Sequence, residues 1–369
     1  QKPAEKQPGA ANNAGYESAW KTVDSLSKKG LYKSAAEAVN NLYLKAPKDG
    51  NMPQLVKAAL YRSNLQSRND NDEEGYVKII ADLEKDCEEI TFPARPVLHS
   101  ILGEVYWRYY QMNRWRFLGR SETTGIVETD IRTWSLEKIL DKTVEHYSLS
   151  LEPAETLKQF PVDMFDLVVN DGSKGTRELR PLLYDFLAHR AADFFMDTEA
   201  GLSHAETGFD MNRKEFFVNA PEFVNLNITS PDTMDFRYRA LKILQELTKL
   251  HIRQQDHDPL IDVDMKRLRF VHENATVDQE DTIYIAALRN IARQDVKFPE
   301  STQAFHEIAT LYERYGYEYN LGAGPAKKSY LRKAEEVCDQ AIARFPYSHG
   351  GLLCKEIKAR LSDKSLSVS

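Results

Sequence analysis

Apolar residues recur along this chain at steps of three and four, and sustained period-two alternation is absent. That pattern predicts helices and no β-sandwich. It is plainest over Tyr16–Lys28, Leu183–Met196, Phe236–Arg253, Leu260–Glu273 and Asp281–Gln294, each a stretch with one apolar face. Asp281–Gln294 is expected to pair with the helix before it.

The helical stretches follow a repeating order. A tetratricopeptide unit sets W-x2-L-G-x2-Y on its first helix, small residues on its second, and Pro after it. Phe305, Ile308, Ala309 and Tyr312 reproduce the first-helix spacing; Ala334 and Ala341 stand seven apart on the second, and Pro346 closes the unit. A further helix, Leu352 to Leu361, is expected to cap the stack. The spacing returns at His99, Leu102, Gly103 and Tyr106, with a small residue where two helices would approach closely. Leu55, Ala58 and Ala59 begin another helix whose partner is marked by Ala81 and Pro93. Gly30, Tyr32, Ala35 and Pro47 give the rhythm of a second helix near the start. The expected fold is all-α: an α-α superhelix of tetratricopeptide-like helical hairpins with irregular insertions over residues 16–364. Stretches at 113–133, 153–175 and 201–231 and the loop 317–325 interrupt the pattern. They are expected to be packed insertions, because long structureless loops are uncommon inside compact domains.

Composition adds the ends and the solubility class. Residues 1–15 are rich in Pro, Gly, Ala and Asn and read as a flexible leader. The first residue is not Met, so either an export signal has been removed or the chain was cut from a longer one. Residues 365–369 alternate as if opening a linker to a following β-domain. Charged residues make up 28% and hydrophobic ones 42%, the balance of a soluble globular protein. No apolar run approaches the roughly 18 residues of a membrane span. The net charge of -7 carries no basic block of the kind that nucleic acid requires. Clusters such as Lys266, Arg267 and Arg269 read as solvated faces.

Candidate chemistry is sparse. The nine histidines show no H-E-x-x-H. His251 and His257 flank Asp256 and Asp258, yet Pro259 follows, so a loop closing into a helix start is expected, with Asp262 and Asp264 in that helix's first turn. The run lacks the glycine and terminal Glu of a calcium loop. A nucleophile elbow, a P-loop and a dinucleotide fingerprint are missing, and Asp171–Gly175 reads as a Gly/Ser turn. The expectation is a chain with no catalytic, metal or cofactor residue. Cys87, Cys338 and Cys354 have no metal spacing; they read as buried thiols, or Cys338 and Cys354 as a bridge in an oxidising compartment.

The densest aromatic segment is Val105–Phe117, VYWRYYQMNRWRF. Trp107, Tyr110, Arg114, Trp115 and Arg116 have the composition of interaction hot spots. Two readings stay open: these aromatics fill the groove between helical layers with Arg stacked over them, or they form a partner-binding patch.

The stretches YESAWKTVDSLSKKGLYKSA at 16–35, LHSILGEVYWRYYQMNRWRF at 98–117, LRPLLYDFLAHRAADFF at 179–195 and LIDVDMKRLRFVHEN at 260–274, with the last repeat, resemble the N-terminal helical region of large alpha-2-macroglobulin-family proteins of Bacteroidetes. The resemblance spans nearly the whole chain past residue 15. It implies export to the periplasm or cell surface and a helical region ahead of β-sandwich domains in a broad-spectrum protease inhibitor. Some members carry a Cys-x-x-Gln-type thioester. Cys87, Cys338 and Cys354 do not fit that context, so no thioester or bait residue carries over. The implied role is a non-catalytic scaffold that docks the rest of its own chain or a cell-envelope protein and meets proteases only indirectly. Two alternatives stand beside it. One is an outer-membrane glycan binder, which needs Trp107, Trp115 and Trp134 together on an exposed face; the other is a helical-toroid hydrolase, which needs two carboxylates facing across a deep cleft.

Overall fold

The computed structural model describes residues 14–67, 73–117, 130–169, 177–197, 199, 208–317 and 328–366. Among them the regular structure is helical, with one isolated antiparallel bridge, Pro161 to Leu182. The expected leader falls outside the described residues up to residue 13, as do 118–129, 170–175, 201–207 and 318–325 of the expected insertions and the turn read at Asp171–Gly175. The chain divides into two compact units, residues 1–191 and 192–369.

The first unit is built from α1 (Ala14–Lys28), α2 (Tyr32–Lys45), α3 (Met52–Ser67), α4 (Glu73–Glu89), α5 (Ala94–Phe117), α6 (Leu136–Leu149) and most of α7 (Leu183–Phe195). From α1 to α6, each helix packs on the next. Helix α1 buries Tyr16, Trp20 and Val23, spaced four and three apart, as a single apolar stripe requires. Gly30, at φ 72, takes the left-handed turn that ends it. Trp20 donates its indole N–H to Gln54 Oε1 on α3 at 2.7 Å, so its one polar atom is paired inside the core.

Helix α5 runs for 24 residues and is buried on nearly every side from Ala94 to Tyr110. Gly103 lets α6 close on it: a Cβ there would stand 3.1 Å from the Tyr147 ring, tighter than ordinary contact. Helix α6 starts at Ser135, whose hydroxyl accepts from the Lys138 amide at 3.2 Å. Where α5 and α6 meet, His99 and His146 share a hydrogen bond between their Nδ1 atoms at 2.9 Å. Tyr106 stacks on the His146 ring at 5.7 Å and Trp134 on Tyr106 at 5.9 Å. The Tyr106 hydroxyl donates to Glu84 Oε1 at 2.5 Å. Arg190 of α7 ties the same helix, donating to Ser100 Oγ at 2.8 Å and to Glu104 Oε2 at 2.5 Å.

The second unit holds α8 (Phe236–Gln254), α9 (His257–Asn274), α10 (Glu280–Gln294), α11 (Thr302–Tyr317), α12 (Lys328–Arg344) and α13 (His349–Leu366). Asp235 caps α8, accepting from the Tyr238 amide at 3.0 Å and from the Phe209 amide at 2.8 Å. Helices α8 and α9 are joined by Gln255, in the left-handed region at φ 60, and Asp256. The second helix therefore begins at His257, earlier than the expected Leu260, and Pro259 sits in its first turn, where a missing N–H costs nothing. Asp258 is the first-turn acid; Asp262 and Asp264 lie deeper in the helix.

Helices α11, α12 and α13 all pack on one another. Ser348 opens α13 by accepting from the Gly351 amide at 3.1 Å, and its hydroxyl lies 2.8 Å from that of Thr302 at the head of α11. Gly350 marks the closest approach there, since a Cβ would collide with the backbone of Thr302 and Gln303. The last helix runs through Leu366, and 367–369 of the expected linker fall outside the described residues.

Two predictions follow from these contacts. Gly350→Ala gains at most about 1 kcal/mol of helix propensity. It overpacks a backbone that cannot swing away, at roughly 1–3 kcal/mol; we expect a net loss, read as a lower thermal midpoint. The histidine pair makes the fold acid-sensitive. Burial, aided for His99 by Arg95 and for His146 by His99 itself, lowers both imidazoles to about 4 against the pull of Glu145. A folded pKa below the unfolded value near 6.5 leaves stability intact above that value and removes it as pH falls towards 4. The loss reaches roughly 2 kcal/mol per imidazole by pH 5. Urea midpoints at pH 7.5 and pH 5 measure it, and His146→Gln should shrink the difference.

Candidate functional site

The aromatic end of α5 splits into a buried and an exposed part. Trp107 and Tyr110 are 7% and 6% exposed and stack on each other at 5.0 Å, with Phe117 5.9 Å from Tyr110. They are packing residues of the first unit. Trp115 comes five residues after Tyr110, ~140° further round the helix. It is 80% exposed. Arg114 and Arg116 beside it are exposed too, and Met112 is half-exposed. Trp134, 4% exposed, lies under Lys138, whose ammonium sits 4.6 Å from its ring centre. The five candidate residues thus form two groups: Trp107 and Tyr110 inside, Arg114, Trp115 and Arg116 outside.

Charge is organised on the preceding turns. Glu104 accepts from both Arg190 and Arg108. Burial would raise its carboxyl, yet these two guanidinium groups hold it below the usual range. The surface end of α5 therefore presents a large aromatic, a thioether and two cations. Such a surface suits an apolar or anionic protein face.

A second concave feature lies in the other unit. A cavity of about 190 Å³ opens between α9, α10 and the segment 217–221. Asp264 and Arg267 line it, with His257, Asn290, Gln294 and Asp295 around them. Arg267 is fully buried, which overturns the expectation that Lys266, Arg267 and Arg269 form a solvated face. The reason is local. Asp264, one turn earlier, accepts its Nε–H at 2.8 Å, and the carbonyls of Phe216 and Val218 accept the other two bonds at 2.5 and 2.8 Å. Its guanidinium also lies over the Phe223 ring at 4.4 Å. A buried cation with a carboxylate and two carbonyls around it is matched on all sides. Lys266 and Arg269 point elsewhere, to Asp193 and Glu307. The signal in the sequence was the Asp264-x-x-Arg267 spacing, which places acid and base on one face.

Burial raises the Asp264 carboxyl, and Arg267 opposes that rise. Asp295 is also raised by burial, with His257 opposing and Asp264 and Asp258 adding. His257 Nδ1 stands 3.9 Å from Asp295 Oδ1, and its ring stacks on Phe298 at 4.1 Å. His251, by contrast, is buried in α8, with Nδ1 4.0 Å from Asp256 Oδ2. Among the described residues no three His, Cys, Asp or Glu side chains are grouped to hold a metal ion. The two acids at the cavity are unequal: Asp264 is held by Arg267, and Asp295 is half-buried beside a histidine. Two free carboxylates across a cleft are not what this arrangement offers.

The ion pair makes a direct prediction. Arg267→Met leaves Asp264 buried without its partner and should cost roughly 3–5 kcal/mol. Asp264→Leu combined with Arg267→Met should recover part of that loss, because the orphaned charge goes with its partner. Chemical denaturation of the two variants checks the order.

No protein-family model, no curated protein and no solved structure matches the chain.

Proposed function

We propose that this chain is a non-catalytic docking scaffold, an α-α superhelix of tetratricopeptide-like hairpins forming the N-terminal helical region of an exported alpha-2-macroglobulin-like broad-spectrum protease inhibitor. The observation that carries the docking role is Trp115, 80% exposed at the end of a helix whose earlier turns are largely buried, and set between the exposed Arg114 and Arg116. An exposed indole costs solvation unless something covers it, and Trp and Arg are the side chains over-represented where partners bind tightly. The occupant in this reading is another domain of its own longer chain, or a cell-envelope protein. The run of helices packed each on its sequence neighbour supports the hairpin architecture. Neighbouring units of that kind build one continuous surface.

The alternatives draw less support. A glycan platform would need Trp107, Trp115 and Trp134 on one open face, and two of these are buried. A hydrolase would need a pair of free acids, and Asp264 is committed to Arg267.

The test uses the β-rich remainder of a longer chain of this kind, supplied as a separate protein. Trp115→Ala should weaken its binding at least tenfold, since a hot-spot residue contributes about 2 kcal/mol or more. The thermal midpoint should stay unchanged, because Trp115 touches little of the fold. Equal binding by the variant would remove the docking role from this surface.

A further inference from the structure

We propose that Cys338 and Cys354 form a structural disulfide that staples the C-terminal helical hairpin when the chain folds in the presence of a disulfide oxidant. The placement follows from the hairpin itself. Helix α12 ends at Arg344 and α13 begins at His349, and the two run back against each other. Cys338 stands six residues before the end of the first helix and Cys354 five residues into the second, so the turn sets them opposite one another.

Each cysteine is the centre of a buried stripe. On α12 the stripe is Ala334, Cys338 and Ala341, all at 0% exposure; on α13 it is Gly350, Cys354 and Ile357, all buried. Small residues on both sides let the helix axes come close, which is what a bridge between facing helices needs, since the two Cα atoms of a disulfide stand under about 7 Å apart. The thiols already meet: the Cys338 and Cys354 side chains are hydrogen-bonded to each other. One turn along, Lys358 of α13 pairs with Asp339 of α12 and fixes the same register. The third cysteine, Cys87, lies in α4 of the other unit and has no cysteine beside it.

The chemistry balances as a thiol–disulfide exchange. One thiolate of the pair attacks a sulfur of a small-molecule or protein disulfide, which releases a thiol. The second thiolate then attacks the mixed disulfide and releases the other thiol. The two cysteines lose two protons and two electrons, and the oxidant disulfide takes them up as two thiols. In the folded chain the shared hydrogen bond and burial push the Cys338 thiol far up, so little thiolate is present and no oxidant reaches it. The bridge therefore forms as the chain folds, and once sealed it resists reduction until the hairpin opens.

The experiment refolds the whole 369-residue chain from denaturant, once in a glutathione–glutathione disulfide buffer and once with excess dithiothreitol. Oxidative refolding should yield one titratable thiol in denaturant instead of three, a mass lower by two hydrogen atoms, and a peptide pair joining Cys338 to Cys354. The melting transition of the second unit should rise by roughly 5–10 °C over the reduced protein. Dithiothreitol should remove the bridge only when denaturant is added. Cys338→Ala and Cys354→Ala should each abolish the redox-dependent rise, and Cys87→Ala should leave it. Three free thiols after oxidative refolding, a bridge that includes Cys87, or mixed glutathione adducts on both cysteines would overturn the proposal. Because the thiol count is read on the unaltered protein, a variant that fails to fold leaves the outcome decisive.

Discussion

Helices of 13 to 24 residues are at best marginal in water on their own, so each must find a partner before it is stable. In this chain the partner is nearly always the next helix in sequence. That choice sets how closely backbones must approach, and the approach is decided by a few positions without a side chain to spare. Gly103 lets Tyr147 lie flat on α5, and Gly350 lets α13 reach the head of α11. The aromatic stack at Trp134, Tyr106 and His146 depends on the first of these, because it is assembled across the same helix pair. The three-helix cluster at the C-terminus depends on the second.

Polar residues inside these units have a common task. They hold irregular backbone against helices that would otherwise have nothing to bind it with. Gln245 gives both amide hydrogens to the carbonyls of Phe223 and Leu226, Asp235 accepts the amide of Phe209, and Arg267 collects the carbonyls of Phe216 and Val218. The residues from 208 to 226 contain only two single-turn helices, Lys214–Phe217 and Ala220–Phe223, yet Phe209, Phe216 and Phe223 are all buried. Apolar contact supplies the attraction, and these three polar side chains supply the geometry.

Much of the fold was legible because it rests on periodicity. Leu183–Met196, Phe236–Arg253 and Asp281–Gln294 each match an observed helix to within a residue or two at the ends. Gly103 was legible as a small residue at a close approach. Helix α6 was not singled out, and it is the helix whose Tyr147 and His146 complete the α5 packing; its one local mark is the Ser135 cap. The candidate site was legible only by composition. Side by side in the sequence, Tyr110 and Trp115 look equivalent, and only the turn of the helix separates a buried ring from an exposed one. Arg267 was misread for a related reason: a basic cluster shows charge, whereas burial is set by Phe216 and Val218, some fifty residues earlier. Pairings at that distance leave no trace in local spacing.

That distance gives Arg267 a further meaning. The segment between α7 and α8 interrupts the helical pattern and would pass for a dispensable ornament. Its carbonyls are nonetheless the acceptors that allow a guanidinium to sit at the heart of α9. Shortening the segment to a plain connection would strand that charge, and discarding the arginine would release the segment. Helix and decoration are therefore coupled, since each supplies what the other's buried polar atoms must bond to.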